Sequence, residues 1–150
     1  MKSLRRAVAA DHDAVVALQN AAYAQNQVIL GAVPLPLQAD YTQILRDMEV
    51  WLLESREGLD GALILDVRPE DMLIWSLASH PRARSLGIGR RFLEHAEQRA
   101  REERRDILRL YTASVYSSNI DWYLRNGFSI ESREQLSDRT LVNMVKKITS

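Results

Sequence analysis

Ser79-His-Pro-Arg-Ala-Arg-Ser-Leu-Gly-Ile-Gly-Arg-Arg-Phe-Leu93 follows a strongly apolar run, Met72-Leu-Ile-Trp-Ser-Leu-Ala78, and leads into a long amphipathic stretch. The pattern reads as a strand that ends at Pro81, a tight turn, and a helix that begins near Gly87. Gly87 and Gly89 sit where backbone has to come close to something large. Free N–H groups at a helix start attract anions, and the helix dipole adds to that attraction. Arg82, Arg84, Arg90 and Arg91 surround the turn. On chemistry alone this is a polyphosphate site.

The wording of the turn sorts the phosphate sites. A mononucleotide loop needs G-x-x-x-x-G-K-[ST], and the chain has no such run. A dinucleotide fingerprint needs G-x-G-x-x-G, and Phe92 occupies the place of the third glycine. What remains is Arg84-x-x-Gly87-x-Gly89, which resembles the R/Q-x-x-G-x-G/A signature of the GNAT N-acetyltransferases. The alternative is a glycine-rich strand-to-helix turn that holds no ligand.

A second segment, residues 107–128, carries the resemblance further. A strand from Ile107 to Thr112 is followed by a short helix from about Ser117 to Arg125, closed by Asn126-Gly127 as a left-handed cap. Asn119, Tyr123 and Gly127-Phe128 fall in register with the family's other signature. The start of the chain, from Leu4 to Leu18, is similar to the family's first strand and helix. Pro34-Leu-Pro-Leu-Gln-Ala-Asp40-Tyr41 is similar to a segment found in one subgroup of small acetyltransferases.

A chain of 150 residues fits one domain, 1–150, with a sizeable core. Hydrophobic residues make up 46% and charged residues 27%, as in ordinary globular proteins. The formal net charge of +0 argues against a general nucleic-acid or membrane-surface binder. With no cysteine, a thiolate nucleophile and a cysteine metal site are excluded. His12, His80 and His95 lack ligand spacing, so no metal is expected. The N-terminus has no apolar segment after its charges and no run approaches the ~20 residues of a membrane span. A cytoplasmic location is the expectation by default. The sequence leaves a homodimer open.

The expected element order is strand 2–8, helix 11–25, an irregular loop, helix 38–47, strands 49–55, 61–67 and 72–79, helix 86–104, strand 107–113, helix 117–126, and strands 128–133 and 140–148. Asp11 is a candidate N-cap for the first helix. Ile88, Phe92, Ala96 and Ala100 form one stripe of the third long helix, which reads as core packing. The expected fold class is α/β (α+β): the GNAT fold, a mixed and mostly antiparallel twisted sheet of six to seven strands flanked by about four helices.

The resemblance implies an acetyl-CoA-dependent N-acetyltransferase acting on a small-molecule or protein amine. It implies that backbone groups of Arg84, Ser85, Leu86, Gly87, Ile88, Gly89 and Arg90 bind the cosubstrate's pyrophosphate. The backbone of Leu77 and Ser79 would bond the pantetheine arm, whose amides can extend a strand edge. Asn119 would lie near the pantetheine or the thioester, or else act as a helix cap. Tyr123 is the candidate general acid for the departing thiolate, because a phenol with pKa near ~10 is protonated at neutral pH. Its other reading is an aromatic packed beside Trp122.

The general base is open. Related sequences often carry glutamate where this chain has Trp75, which leaves water, Glu54, Asp40 or another residue for that task. Asp40 could equally cap the second helix, and His80, before a proline at the turn, points to solvent. The expected acceptor pocket combines the first two helices, the loop 26–40 and the loop 134–139. Because Trp75 cannot accept a proton, an acyl-CoA-binding module without catalysis is the rival reading. A transferase for a bulkier acyl chain is a second rival.

Overall fold

The computed structural model describes residues 3–149. The chain lays down β1 (Arg5–Arg6), α1 (His12–Leu30), α2 (Tyr41–Asp47), β2 (Glu49–Ser55), β3 (Gly58–Val67), β4 (Met72–Ser79), α3 (Ile88–Glu102), β5 (Ile107–Ala113), α4 (Ser117–Arg125), β6 (Ser129–Gln135) and β7 (Thr140–Lys147). The strands form one seven-stranded sheet in the order β1-β2-β3-β4-β5-β7-β6. Only the β4–β5 pair is parallel. This is the mixed, mostly antiparallel architecture expected of the sequence. No helix of the described residues is long and apolar enough to cross a membrane.

Strand alternation splits the core into two layers. Leu63 and Leu65 of β3 face α3, whose stripe Ile88, Phe92, Ala96 and Ala100 is buried as the periodicity predicts. Trp122 and Tyr123 of α4 and Phe128 join that layer. Ala62 and Ile64 face the other way, onto Val15 and Leu18 of α1 and Tyr41 and Ile44 of α2.

Several boundaries differ from the sequence reading. The first helix runs on from residue 25 to Leu30, because Gln25 to Leu30 contains no breaker before Gly31 ends it. The loop 26–40 therefore shrinks to 31–40, with a 3₁₀ turn at Leu35–Leu37. The second helix starts at Tyr41, not 38, where the Asp40 carboxylate accepts from the N–H groups of Thr42 and Gln43 at 3.0 and 3.4 Å. Asp40 is thus a cap. Asp11 precedes α1 but does not cap it with its carboxylate, which is taken by the Arg5 guanidinium and the Val8 N–H. The expected strand 2–8 is reduced to Arg5–Arg6, with residue 2 outside the described residues. The expected helix 86–104 is a 3₁₀ stretch, Pro81–Leu86, followed by α3 from Ile88. The strand expected at 61 begins at Gly58.

Candidate active site

The site starts from a failure of pairing. β4 and β5 pair through Met72–Leu108, Leu73–Arg109 and Ile74–Leu110, and then part company. β4 continues against β3 as far as Ser79, and β5 continues against β7 as far as Ala113. At the point of divergence the β3–β4 register slips: Ile64 faces Ser76 and Leu65 faces Ile74, which leaves Trp75 as the extra residue. A bulge of this kind bends the strand and redirects side chains.

The opened edge of β4 can be read residue by residue. The His80 N–H donates to the Asp60 carbonyl at 2.8 Å. Antiparallel partners alternate, so the backbone groups of Ala78 and Ser76 also point to β3. Those of Leu77 and Ser79 then point into the gap.

The gap widens into a cavity of about 790 Å³. Leu77, Ser79, Arg84, Gly87, Ile88, Gly89 and Arg90 line it from one side, and Asn119 and Tyr123 from the other. Ser85 and Leu86 do not line it: they lie in the 3₁₀ stretch, and Leu86 is 64% exposed. Three of the arginines around the turn go separate ways. Arg82 is engaged with Asp60 at 2.5 Å and the Leu59 carbonyl. Arg84 lines the cavity and ties it to α1 by donating to the Ala22 carbonyl at 3.0 Å, while Arg90 makes a loose 3.6 Å pair with Glu94.

The two glycines serve different ends. Gly87 has φ +73, and a Cβ there would meet nothing within 4 Å, so conformation rather than space requires glycine. Gly89 has no such φ, but a Cβ would come within 3.1 Å of the Trp122 ring. The large body it approaches is a side chain of α4. In α3 the first intrahelical bond runs from the Arg91 N–H to the Gly87 carbonyl at 3.3 Å. The N–H groups of Ile88, Gly89 and Arg90 therefore face the cavity end without intrahelical acceptors. A peptide-like arm on the open strand edge and an anion at these N–H groups both fit the residues present.

Tyr123 packs edge-on against Trp122 and Phe128, with centroids 5.1 and 5.4 Å apart. Its hydroxyl has no hydrogen-bond partner among the described residues, and burial raises its pKa above the ordinary phenol range. The Asn119 side chain likewise bonds no group among the described residues, and no side chain caps α4.

On the α1 side the structure adds residues that the sequence did not single out. Tyr23 lines the cavity, and its hydroxyl lies 2.8 Å from the Ser76 hydroxyl. Gln19, 1% exposed, donates from Nε2 to Ser76 Oγ and to the Tyr41 hydroxyl, each at 3.0 Å. Tyr41 in turn donates to the Pro36 carbonyl at 2.6 Å. Burial raises the phenols of Tyr23, Tyr41 and Tyr116 as well. Across the mouth, the Tyr116 hydroxyl donates to the Asn26 carbonyl at 3.2 Å and Arg139 to the Val33 carbonyl at 3.2 Å. One signal for this network was present in the sequence: Gln19 interrupts the buried stripe Val15, Leu18 and Ala22 of α1.

Among the described residues, no aspartate, glutamate or histidine lines the cavity. Glu54 is held by Arg5 at 2.8 Å at the strand edge of the sheet. Asp40 opens onto a separate cavity of about 300 Å³ behind Gln19 and Tyr41. His80 Nδ1 accepts the Arg82 N–H at 3.2 Å and caps the 3₁₀ stretch. Trp75 itself lines the cavity.

Comparison with known proteins bears on the family and the fold. Residues 46–130 match the acetyltransferase (GNAT) domain family. L-2,4-diaminobutyric acid acetyltransferase of Vibrio cholerae is 29% identical over 125 residues, which cover 79% of this chain and 71% of that protein. The PaiA N-acetyltransferase of Thermoplasma acidophilum, solved with coenzyme A, superimposes with a TM-score of 0.81 at 16% identity, covering 98% of this chain and 99% of that one. Nourseothricin acetyltransferase gives a TM-score of 0.63 at 21% identity over 69% of this chain, which spans 66% of that protein. The two structural matches bear on the fold.

Proposed function

The chain belongs to the GNAT acetyltransferase family, and on that premise we propose that it transfers an acetyl group from acetyl-CoA directly to a primary amine of a small molecule or protein. The observation that carries the proposal is the divergence of β4 and β5 into a cavity that has an open strand edge on one side and the Tyr123 hydroxyl on the other. Acetyl-CoA supplies the acetyl group as a thioester. The Ile88, Gly89 and Arg90 N–H groups hold its pyrophosphate, with Arg84 adding positive charge. Backbone groups of Leu77 and Ser79 take the pantetheine amides, and Asn119 bonds the arm near its reactive end.

Direct transfer needs no covalent enzyme intermediate, and proximity supplies much of the rate. As the amine nitrogen bonds to carbon and the C–S bond breaks, Tyr123 gives its proton to sulfur. The proton that nitrogen loses passes through water back to the phenol, so the enzyme ends as it began. The raised pKa of Tyr123 keeps it protonated throughout the working range.

Deprotonation of the incoming amine falls to solvent, since no carboxylate or imidazole of the described residues lines the cavity. An ordinary alkylamine has pKa near ~10.4 and is almost wholly protonated at pH 7. Activity therefore rises with pH toward about 9. The test is coenzyme A release against alkyl and aryl amines, polyamines, amino acids including L-2,4-diaminobutyrate, and N-terminal peptides, at pH 7 and pH 9. Acetylation of at least one acceptor, faster at pH 9, supports the proposal. The lining without a carboxylate also favours a second reading, an acyl-CoA-binding module. Tight acetyl-CoA binding with no acceptor acetylated at either pH would select it.

A further inference from the structure

The acceptor side of the cavity is wired by hydroxyls. Tyr23 projects from the middle of α1 to the strand β4 beside the bulge, and Ser76 Oγ meets it at 2.8 Å. Ser76 is 3% exposed, so its hydroxyl has little water to turn towards. Gln19 Nε2 fills one acceptor site of that oxygen and is itself steadied by the Tyr41 hydroxyl. Tyr41 is fixed in turn, because its proton goes to the Pro36 carbonyl. Each link fixes the next, ending at a phenol that lines the cavity. Tyr23 and Tyr123 both line the cavity, so the phenol of α1 and the phenol of α4 look onto the same space.

We propose that Tyr23 receives the acceptor amine: its oxygen accepts an N–H from the neutral amine and aims the nitrogen lone pair at the thioester carbon, with Ser76 and Gln19 acting as positioning residues behind it. This rests on the acetyl-transfer reading above. Either oxygen can be the donor in the Tyr23–Ser76 bond; we take Tyr23 as the donor, which leaves its lone pairs facing the cavity. As the N–C bond forms, nitrogen becomes cationic and its hydrogen bond to Tyr23 becomes charge-assisted, hence stronger. Tyr23 exchanges no proton: the one nitrogen sheds leaves through water, and the thiolate is protonated by Tyr123. A bond that strengthens as charge develops lowers the barrier rather than merely improving binding.

The experiment compares the protein with Tyr23→Phe, Ser76→Ala and the double variant. Acetyl-CoA affinity is measured by calorimetry, folding by thermal melts, and kcat and KM with the amines of the panel. Tyr23→Phe is expected to lower kcat/KM for the amine by about 10- to 30-fold, chiefly in kcat, with acetyl-CoA affinity within a factor of two. Ser76→Ala is expected to lower it by about 5-fold, and the double variant to be no worse than Tyr23→Phe, because Ser76 acts only through Tyr23. A folded Tyr23→Phe with wild-type kcat, or effects that multiply in the double variant, overturns the proposal while leaving acetyl transfer intact. A wild-type protein that binds acetyl-CoA but acetylates none of the panel overturns both together.

Discussion

On the α3 side of the cavity, the groups that face inward are largely main chain: the open edge of β4 at Leu77 and Ser79, and the first N–H groups of α3. On the α1 side they are hydroxyls of Tyr23 and Ser76, held by a buried glutamine and a second tyrosine. The first wall needs only a strand that stops pairing, a turn through the left-handed region at Gly87 and a helix start. The second needs four side chains from α1, α2 and β4 to meet within hydrogen-bond reach. A main-chain wall tolerates most side chains provided the backbone path is kept. A hydroxyl wall fails when any one link is lost, because a buried polar group without its partner costs about 1–3 kcal/mol.

Tyr123 lies between the walls, and its loss should be the largest effect. Tyr123→Phe keeps the packing on Trp122 and Phe128 and removes only the proton donor. kcat is expected to fall about 100-fold, with acetyl-CoA affinity nearly unchanged. A kcat within a factor of two of wild type would return Tyr123 to packing. Gly89→Asp attacks the main-chain wall alone. It brings a Cβ within 3.1 Å of Trp122 and a negative charge to the helix start. Acetyl-CoA affinity is expected to fall at least ~10-fold, or ~1.4 kcal/mol. Calorimetry with equal affinity would remove the pyrophosphate from this turn.

The smallest effect lies behind both walls. His95 packs edge-on at 4.3 Å against Trp51, and its Nε2 is buried without a hydrogen-bond partner among the described residues. Burial lowers its pKa, and Arg99 adds to that, against weaker opposing effects of Glu102 and Glu49. The folded state therefore disfavours protonation relative to an unfolded chain with pKa ~6.5. Its stability contribution is complete above about pH 6.5 and is lost as pH falls below that value. The depressed carboxylates Asp71 and Glu49 lose theirs only below about pH 4. Melts at pH 7.5, 6.0 and 5.0 should show a fall in Tm that His95→Gln flattens. An unchanged slope would remove His95 as its source. The phenols of the cavity, all raised, contribute nothing in that window.

The same contrast explains what was legible in the sequence. The main-chain wall carries a local signature, because Arg84, Gly87 and Gly89 lie within six residues of one turn, and the two signature segments place both strands that bound the cavity. The hydroxyl wall spans Gln19, Tyr23, Tyr41 and Ser76, which are close only after α1 and α2 dock on β4. Even so, Gln19 on an apolar stripe was a mark of something buried and polar. Element boundaries were missed where context decides: α1 passes residue 25 because nothing stops it, and Asp11 turns to Arg5 in place of capping α1. The reason for Gly89 was also hidden, since Trp122 is 33 positions further along the chain.

The parting of β4 from β5 leaves two unpaired strand edges, the feature by which sheets aggregate when it is exposed at a rim. Here the open edges lie in the middle of the sheet, in a cavity lined by residues of α1 and α4. The outer rims are blunted by other means. β1 is only two residues long, and β6 carries Glu131, Arg133 and Glu134 along a largely exposed strand. The protein thus keeps its most adhesive backbone at the centre of the sheet, and the rims it presents to the surrounding solution are a two-residue strand and a charged one.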